Sequence, residues 1–287
     1  MSKSSDAWTI LKDTVRPLIP PSLWQDLRLV RIRLAKRMFK PFVIKERFGG
    51  VELSLQISDP MALAWYGRGG GLLTEIELLK KSGLQSGARV FDLGAHQGVV
   101  ALQLAHHVGP DGLVVAVEAN PHNAALAREN CRLNEAPNVV VEHAAVASRP
   151  GWILFSRDWD GQAVGRGRAR VPATTVDVLC GRYGRPHVLY IDVEGYECEV
   201  LAGASETLAH APDLYIEVHA GCGLEDFGGS VEKVLSHLPA DAYELFAIRP
   251  ARTSDDSDYV CAFDQSLDWI RERFYLVALV KRRTSDE

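Results

Sequence analysis

Cysteine is scarce in this chain: five residues out of 287. Cys131, Cys180, Cys198, Cys222 and Cys261 are scattered, with no C-x-x-C pair. An odd count at wide spacing fits reduced thiols rather than a disulfide framework or a cysteine-rich zinc site. Long apolar runs are also missing, since none approaches the ~20 residues of a membrane span. The N-terminal MSKSSDAWTILKDTVRP lacks the apolar core of a secretory signal, so the expected location is cytoplasmic. Positive charge is not in excess: 32 Lys and Arg stand against 37 Asp and Glu, a formal charge of −5. Bulk electrostatics therefore does not recommend a nucleic-acid partner. No internal repeat is found. What remains is ordinary globular composition, 47% hydrophobic and 24% charged, with enough chain to bury a large core.

One segment stands apart. Leu23, Leu27, Val30 and Leu34 recur at helical spacing among Arg28, Arg31, Arg33, Lys36, Arg37 and Lys40, and Lys45 and Arg47 follow. Such a basic amphipathic helix either lies peripherally on an anionic membrane surface or packs its leucine stripe on the rest of the protein. Val51–Ile57 (VELSLQI) alternates as a strand, half of a hairpin. Residues 1–70 are expected to form an N-terminal helix-and-strand extension on the substrate side. Thr74–Ser82 reads as a helix, with Thr74 as N-cap and Glu77 completing a capping box.

From Arg89 onward the pattern is regular. Strands are expected at Arg89–Leu93, Leu113–Glu118, Asn138–Glu142, His187–Val193, Asp213–His219, Ala242–Ile248 and Phe274–Lys281. Helices are expected at Gly98–Val108, Pro121–Leu133, Thr175–Arg182, Glu197–Ala209 and Ser230–Leu238. Asn120 and Pro121 make a helix start. This alternation predicts an α/β, Rossmann-like fold, a mainly parallel sheet with helices on both faces. Residues 149–172 and the acidic stretch 249–264 are expected to be loops facing a substrate.

The chemistry concentrates at strand ends. Val90-Phe91-Asp92-Leu93-Gly94-Ala95-His96-Gln97-Gly98 closes a strand on Asp92 and leads through two glycines into a helix. The G-x-x-x-G spacing differs from the G-x-G-x-x-G of dinucleotide enzymes and suits a nucleoside without pyrophosphate, which argues against a nicotinamide oxidoreductase. The next strand ends in Glu118, roughly twenty residues on, where a carboxylate can hold both ribose hydroxyls. Glycine loop and acid together indicate an adenosine-type cofactor. Further along, Asp192 and Glu194 share a side if their strand persists, as do Glu217 and His219 on the next one.

VFDLGAHQG, VVAVEANP, TTVDVL, YIDVEGYECEVLAGA and YIEVH, in that order, resemble the FkbM-type family of S-adenosylmethionine-dependent methyltransferases. The resemblance covers roughly residues 70–220. It implies a class I methyltransferase sheet of seven strands, six parallel and the last antiparallel, with residues 71–287 as the cofactor-binding catalytic domain. It also implies O-methylation of a sugar, polyketide or similar small hydroxyl-bearing acceptor. On that basis Asp92 orients the methionine ammonium, Gly94 and Gly98 admit the cofactor, His96 donates to its carboxylate, Glu118 holds the ribose, and Ala144 or Ala145 borders the adenine. Asp192 lies where methionine amine and acceptor meet. The family usually has Asn at His96 and Lys at Tyr190, and the second departure bears on the acceptor side.

For removing the acceptor's proton, His219 titrates in the right range. Alternatively Asp192, Glu217 and His219 hold a divalent cation that lowers the acceptor's pKa. Glu194 is expected to cap the following helix. No Asn/Asp-Pro-Pro-aromatic element of amine methylation is present. The reading from another class is a catalytically silent methyltransferase-fold module recruited through the basic helix.

Overall fold

The computed structural model describes residues 38–71, 73–155, 169–239, 241–251 and 257–281. In chain order the elements are β1 (Phe42–Phe48), β2 (Val51–Ile57), α1 (Pro60–Tyr66), α2 (Thr74–Leu79), β3 (Arg89–Leu93), α3 (Val99–Val108), β4 (Leu113–Glu118), α4 (Pro121–Leu133), β5 (Val139–His143), β6 (Ala145–Val146), β7 (Gly151–Phe155) and β8 (Ala169–Thr174). Then come α5 (Val176–Tyr183), β9 (Val188–Ile191), α6 (Glu197–Ala202), α7 (Ser205–Leu208), β10 (Asp213–Val218), α8 (Val231–Ser236), β11 (Tyr243–Arg249), β12 (Tyr259–Ala262) and β13 (Phe274–Val280).

The described chain divides into two compact units. The smaller comprises residues 38–46 and 56–69. Its helix α1 starts cleanly, because Asp59 Oδ1 accepts from the backbone N–H of Met61 and Ala62, each at 2.9 Å, and Pro60 occupies the first turn. The larger unit takes 47–55, the tip of the β1–β2 hairpin, and everything from residue 70.

The larger unit is built on an eight-stranded sheet of order β12-β11-β13-β10-β9-β3-β4-β5. Strands β3, β4, β5, β9 and β10 run parallel, and β13 is antiparallel to both β10 and β11. Setting aside the antiparallel β13 and β12, the strands climb away from β3 in both directions, so β3 and β9 flank the switch point, where an open α/β sheet binds ligands beyond its carboxyl ends. Every residue of β9 and of β10 is buried. Their side chains alternate between the two faces. Phe91, Leu93, Leu189, Ile191, Leu214 and Ile216 enter one core, while Val90, Val188, Tyr190 and Tyr215 enter the other. This is why these strands read as continuous apolar runs. A separate three-stranded sheet has the order β6-β8-β7.

The expected seven-stranded Rossmann-like methyltransferase sheet is present, with differences at its margins. Residues 249–264 are not simply a loop: Tyr259–Ala262 adds the antiparallel edge strand β12. Residues 149–172 contain β7 and part of β8. The helix expected over Glu197–Ala209 breaks into α6 and α7 at Gly203-Ala204. Thr74 does not cap α2. Leu73 is the N-cap, without a side-chain bond, and the Thr74 hydroxyl donates to Asp258 Oδ2 at 2.6 Å. Lys45 and Arg47, which follow the basic run, lie in β1. The basic run Leu23–Arg37 lies outside the described residues. No helix among the described residues is long and apolar enough to cross a membrane.

Candidate active site

Asp92 occupies the carboxyl end of β3 and is 2% exposed. Its Oδ2 makes no hydrogen bond. Burial, reinforced by the nearby Glu118 carboxylate, pushes its pKa up to about 7. Glu118, at the end of the neighbouring strand β4, is also buried, and desolvation raises it to about 7 against the pull of its backbone bonds. Its Oε2 accepts from the N–H of His96 at 2.8 Å, and its Oε1 from the N–H of Asn120 at 2.6 Å. His96 sits at φ 48°, an uncommon conformation for a residue with a Cβ, so the glycine loop is held in a fixed curve around this carboxylate. Two neighbouring buried carboxyls of raised pKa are complementary to a ligand that brings positive charge and hydroxyl donors.

The loop's glycines have packing reasons for being glycine. Gly94 has φ 97°, and a Cβ there would lie 1.7 Å from the carbonyl oxygen of Asp192. The close approach locks the end of β3 to the chain leaving β9. A Cβ at Gly98 would meet the Ala127 Cβ at 3.2 Å, on α4. Ala144, buried behind β5, donates its N–H to the Glu118 carbonyl at 3.1 Å. Ala145 pairs with Ala173 in the smaller sheet.

The second half of the site lies beyond β9 and β10. Strand β9 ends at Ile191, so Asp192 and Glu194 do not share a side by strand alternation. They are brought together by a turn in which Glu194 has φ 53° and Gly195 has φ 98°. Both point toward His219, one residue past β10. His219 Nε2 lies 3.3 Å from Glu194 Oε2, 3.7 Å from Glu217 Oε1 and 3.9 Å from Asp192 Oδ1. Its Nδ1 donates to Glu197 Oε1 at 2.6 Å, and Glu197, fully buried, also accepts from the Gly195 N–H at 2.9 Å. Glu194 does not cap α6, whose N-cap Tyr196 makes no side-chain bond.

These contacts settle the electrostatics of the cluster. Burial pulls the His219 pKa down, but Glu194 and Glu197 more than offset it, leaving it at about 11. The bare protein thus favours the charged imidazole at neutral pH, unlike a free histidine. Burial and the neighbouring carboxylates Glu217 and Glu194 hold Asp192 well above the usual carboxylate range. Burial also raises Glu217, partly opposed by His219 and by Arg273, whose Nη1 is 3.2 Å away.

Glu194 and His219 form one wall of a cavity of about 650 Å³. Trp269, Glu272 and three arginines, Arg249, Arg271 and Arg273, line it elsewhere. The Arg249 guanidinium lies 5.9 Å from the Tyr259 ring centroid and 6.0 Å from that of Trp269, so aromatic faces hold it in place. Sequence reading missed this cationic wall, because its members come from β11 and from the turn before β13, far apart in the chain. It also missed Glu75, buried on α2, whose Oε1 accepts the Tyr190 hydroxyl at 2.8 Å. Tyr190, standing where Lys was expected, is thus committed to Glu75 and to stacking on Tyr215 at 4.1 Å. Trp152 is exposed under Arg170, and Tyr183 bonds to Glu142; neither lines this cavity.

Nine buried side-chain polar atoms among the described residues lack a hydrogen bond. Five of them belong to Asp92, Gln97, Asp192, Glu197 and His219, which lie at or after the carboxyl ends of β3, β9 and β10, with Glu197 on the first turn of α6. Buried polar atoms of folded proteins are normally paired with protein, water or ligand, so these five are open to a bound partner.

A mainly parallel sheet whose parallel strands climb outward from β3, with an antiparallel strand inserted before the last of them and acidic residues at the ends of β3 and β4, is the class I methyltransferase architecture. Residues 92–245, just over half of the chain, match the methyltransferase FkbM domain. The chain belongs to that family of S-adenosylmethionine-dependent methyltransferases. Among solved structures it is similar to the methyltransferase FkbM of Methylobacillus flagellatus, at 19% identity and a TM-score of 0.45. That similarity takes in 67% of this chain but only 43% of the other. It is also similar to a precorrin-6y C5,15-methyltransferase of Geobacter metallireducens, at 15% identity, 74% and 89% coverage and a TM-score of 0.45. A third is a SAM-dependent O-methyltransferase of Thermotoga maritima, at 14% identity, 86% and 79% coverage and a TM-score of 0.43. No curated protein matches the chain.

Proposed function

We propose that this protein transfers a methyl group from S-adenosylmethionine to a hydroxyl of a small, negatively charged acceptor. The observation that carries the reading is the placement of Asp92, with its unpartnered Oδ2, beside Glu118 at the switch point of the sheet. Asp92 fits the cofactor's ammonium, which would neutralise the buried carboxyl. Glu118 fits the ribose hydroxyls, His96 the methionine carboxylate, and Ala144 and Ala145 the edge of the adenine. Gly94 and Gly98 shape the loop that these groups require. When bound, the cofactor supplies an electrophilic methyl group.

The chain's own contribution is position, desolvation and proton handling. Asp192, Glu217 and His219 are the catalytic residues of this reading. In this reading the acceptor's proton passes to the carboxylate of Asp192 or Glu217, both of which burial makes more basic than usual, while the charged imidazole of His219 holds the two in place. The arginines of the cavity favour an acceptor that carries a carboxylate or phosphate besides its hydroxyl. That narrows the sugar- or polyketide-type acceptor to acidic members of such classes.

The test supplies tritiated S-adenosylmethionine with pools of small hydroxyl compounds separated by charge. Label is expected in the anionic pool and is lost with Asp192→Asn. Label confined to neutral compounds would contradict the acceptor class. No label in any pool, from protein that binds the cofactor, would favour a silent binding module.

A further inference from the structure

We propose that Asp192, Glu194 and His219 bind a divalent transition-metal ion at the edge of the cavity. One ligand atom from each side chain lies within 4.8 Å of the others. Ligands about 2.0–2.2 Å from a common ion stand roughly 3–4 Å apart. The 3.3 Å from His219 Nε2 to Glu194 Oε2 and the 3.9 Å to Asp192 Oδ1 fall in that range.

Acidic groups alone do not make a metal site, and the independent observation is His219. Its side chain is 2% exposed, and its Nε2, which makes no well-formed hydrogen bond, faces Glu194, Glu217 and Asp192 at 3.3, 3.7 and 3.9 Å. The other ring nitrogen is tied to Glu197, which is held in turn by the Gly195 N–H. A buried carboxylate that fixes the far nitrogen of an imidazole is the arrangement that orients a metal-binding histidine and raises its basicity. The backbone that presents Glu194 is equally constrained: a Cβ on Gly195 would lie 2.6 Å from the Gly223 carbonyl carbon, so the turn has no slack. One imidazole and two carboxylates suit Mn²⁺ or Zn²⁺ better than Mg²⁺. Glu217 belongs to the surroundings rather than the ligand set, because Arg273 engages it at 3.2 Å.

Glu194 and His219 line the cavity, so an acceptor oxygen entering it comes within reach of the ion. The ion then lowers the acceptor hydroxyl's pKa, and the proton leaves to solvent or a neighbouring carboxylate. Only this use of the ion rests on the methyltransferase reading; its binding does not.

The experiment takes the full chain, stripped with chelator, and titrates it with Mn²⁺ by electron paramagnetic resonance of the free ion, with Zn²⁺ as competitor. A single site is expected. Glu194→Gln, at a half-exposed position, and His219→Ala should each abolish it, and Glu197→Gln should weaken it about 10–100-fold. No bound Mn²⁺ or Zn²⁺ in folded protein would overturn the proposal. So would binding that survives both ligand substitutions. S-adenosylhomocysteine binding, measured on the same samples, reports on the methyltransferase reading alone.

Discussion

Asp92 stores a conflict between folding and binding. Its pKa stands at about 7 in the folded protein against an ordinary 3.8. The folded state therefore holds a proton that the unfolded state has released, and stability falls as pH rises from about 4 to about 7. Asp92→Asn removes that conflict. In the absence of ligand the substitution should stabilise the protein by about 1–3 kcal/mol at pH 8 and by much less at pH 5, read by urea unfolding. The same substitution should weaken S-adenosylhomocysteine binding, because the ammonium loses its counter-charge. Gly94 makes the opposite prediction. With φ 97° and 1.7 Å between its would-be Cβ and the Asp192 carbonyl, Gly94→Ala should cost about 2–5 kcal/mol and part the two strand ends. Unchanged stability would remove the link between them. Arg271→Ala, at the cavity wall, should raise KM for an anionic acceptor while leaving cofactor affinity unchanged.

At the level of elements, legibility followed chain distance. Asn120 and Pro121 announce α4 through local chemistry, and the structure has Asn120 Oδ1 accepting from the His122 N–H at 2.9 Å. Asn120→Ala should cost about 1 kcal/mol in denaturant unfolding. Strands β3, β4, β9 and β10 are legible because burial on both faces makes them mostly apolar, with acids toward their ends. Asp92 and Glu118 could be placed because each simply ends such a strand. The cluster around His219 was half legible. Asp192 and His219 follow strands, but Glu194 joins them through a turn whose positive φ angles leave no periodic trace. Glu197 lies on the next helix and looks like an ordinary first-turn acid. Strand β12 is four residues at an edge, with partly exposed side chains, inside an otherwise acidic stretch. Nothing in its local pattern outweighs the turn-forming residues around it.

On the scale of the whole molecule, the sheet order sets two chemistries side by side, where the loop after β3 packs on the chain leaving β9. The ends of β3 and β4 carry the carboxyls that suit an adenosyl cofactor. The ends of β9 and β10 carry the carboxylate–imidazole cluster, and the cavity beyond it is walled by arginines. Thermal unfolding with S-adenosylhomocysteine, and in parallel with NAD, tests this arrangement most directly. At about a hundred times its dissociation constant, S-adenosylhomocysteine should add roughly 2.7 kcal/mol of stability, with no effect from NAD. A well-folded sample that S-adenosylhomocysteine leaves unshifted, or that only NAD stabilises, would contradict the account.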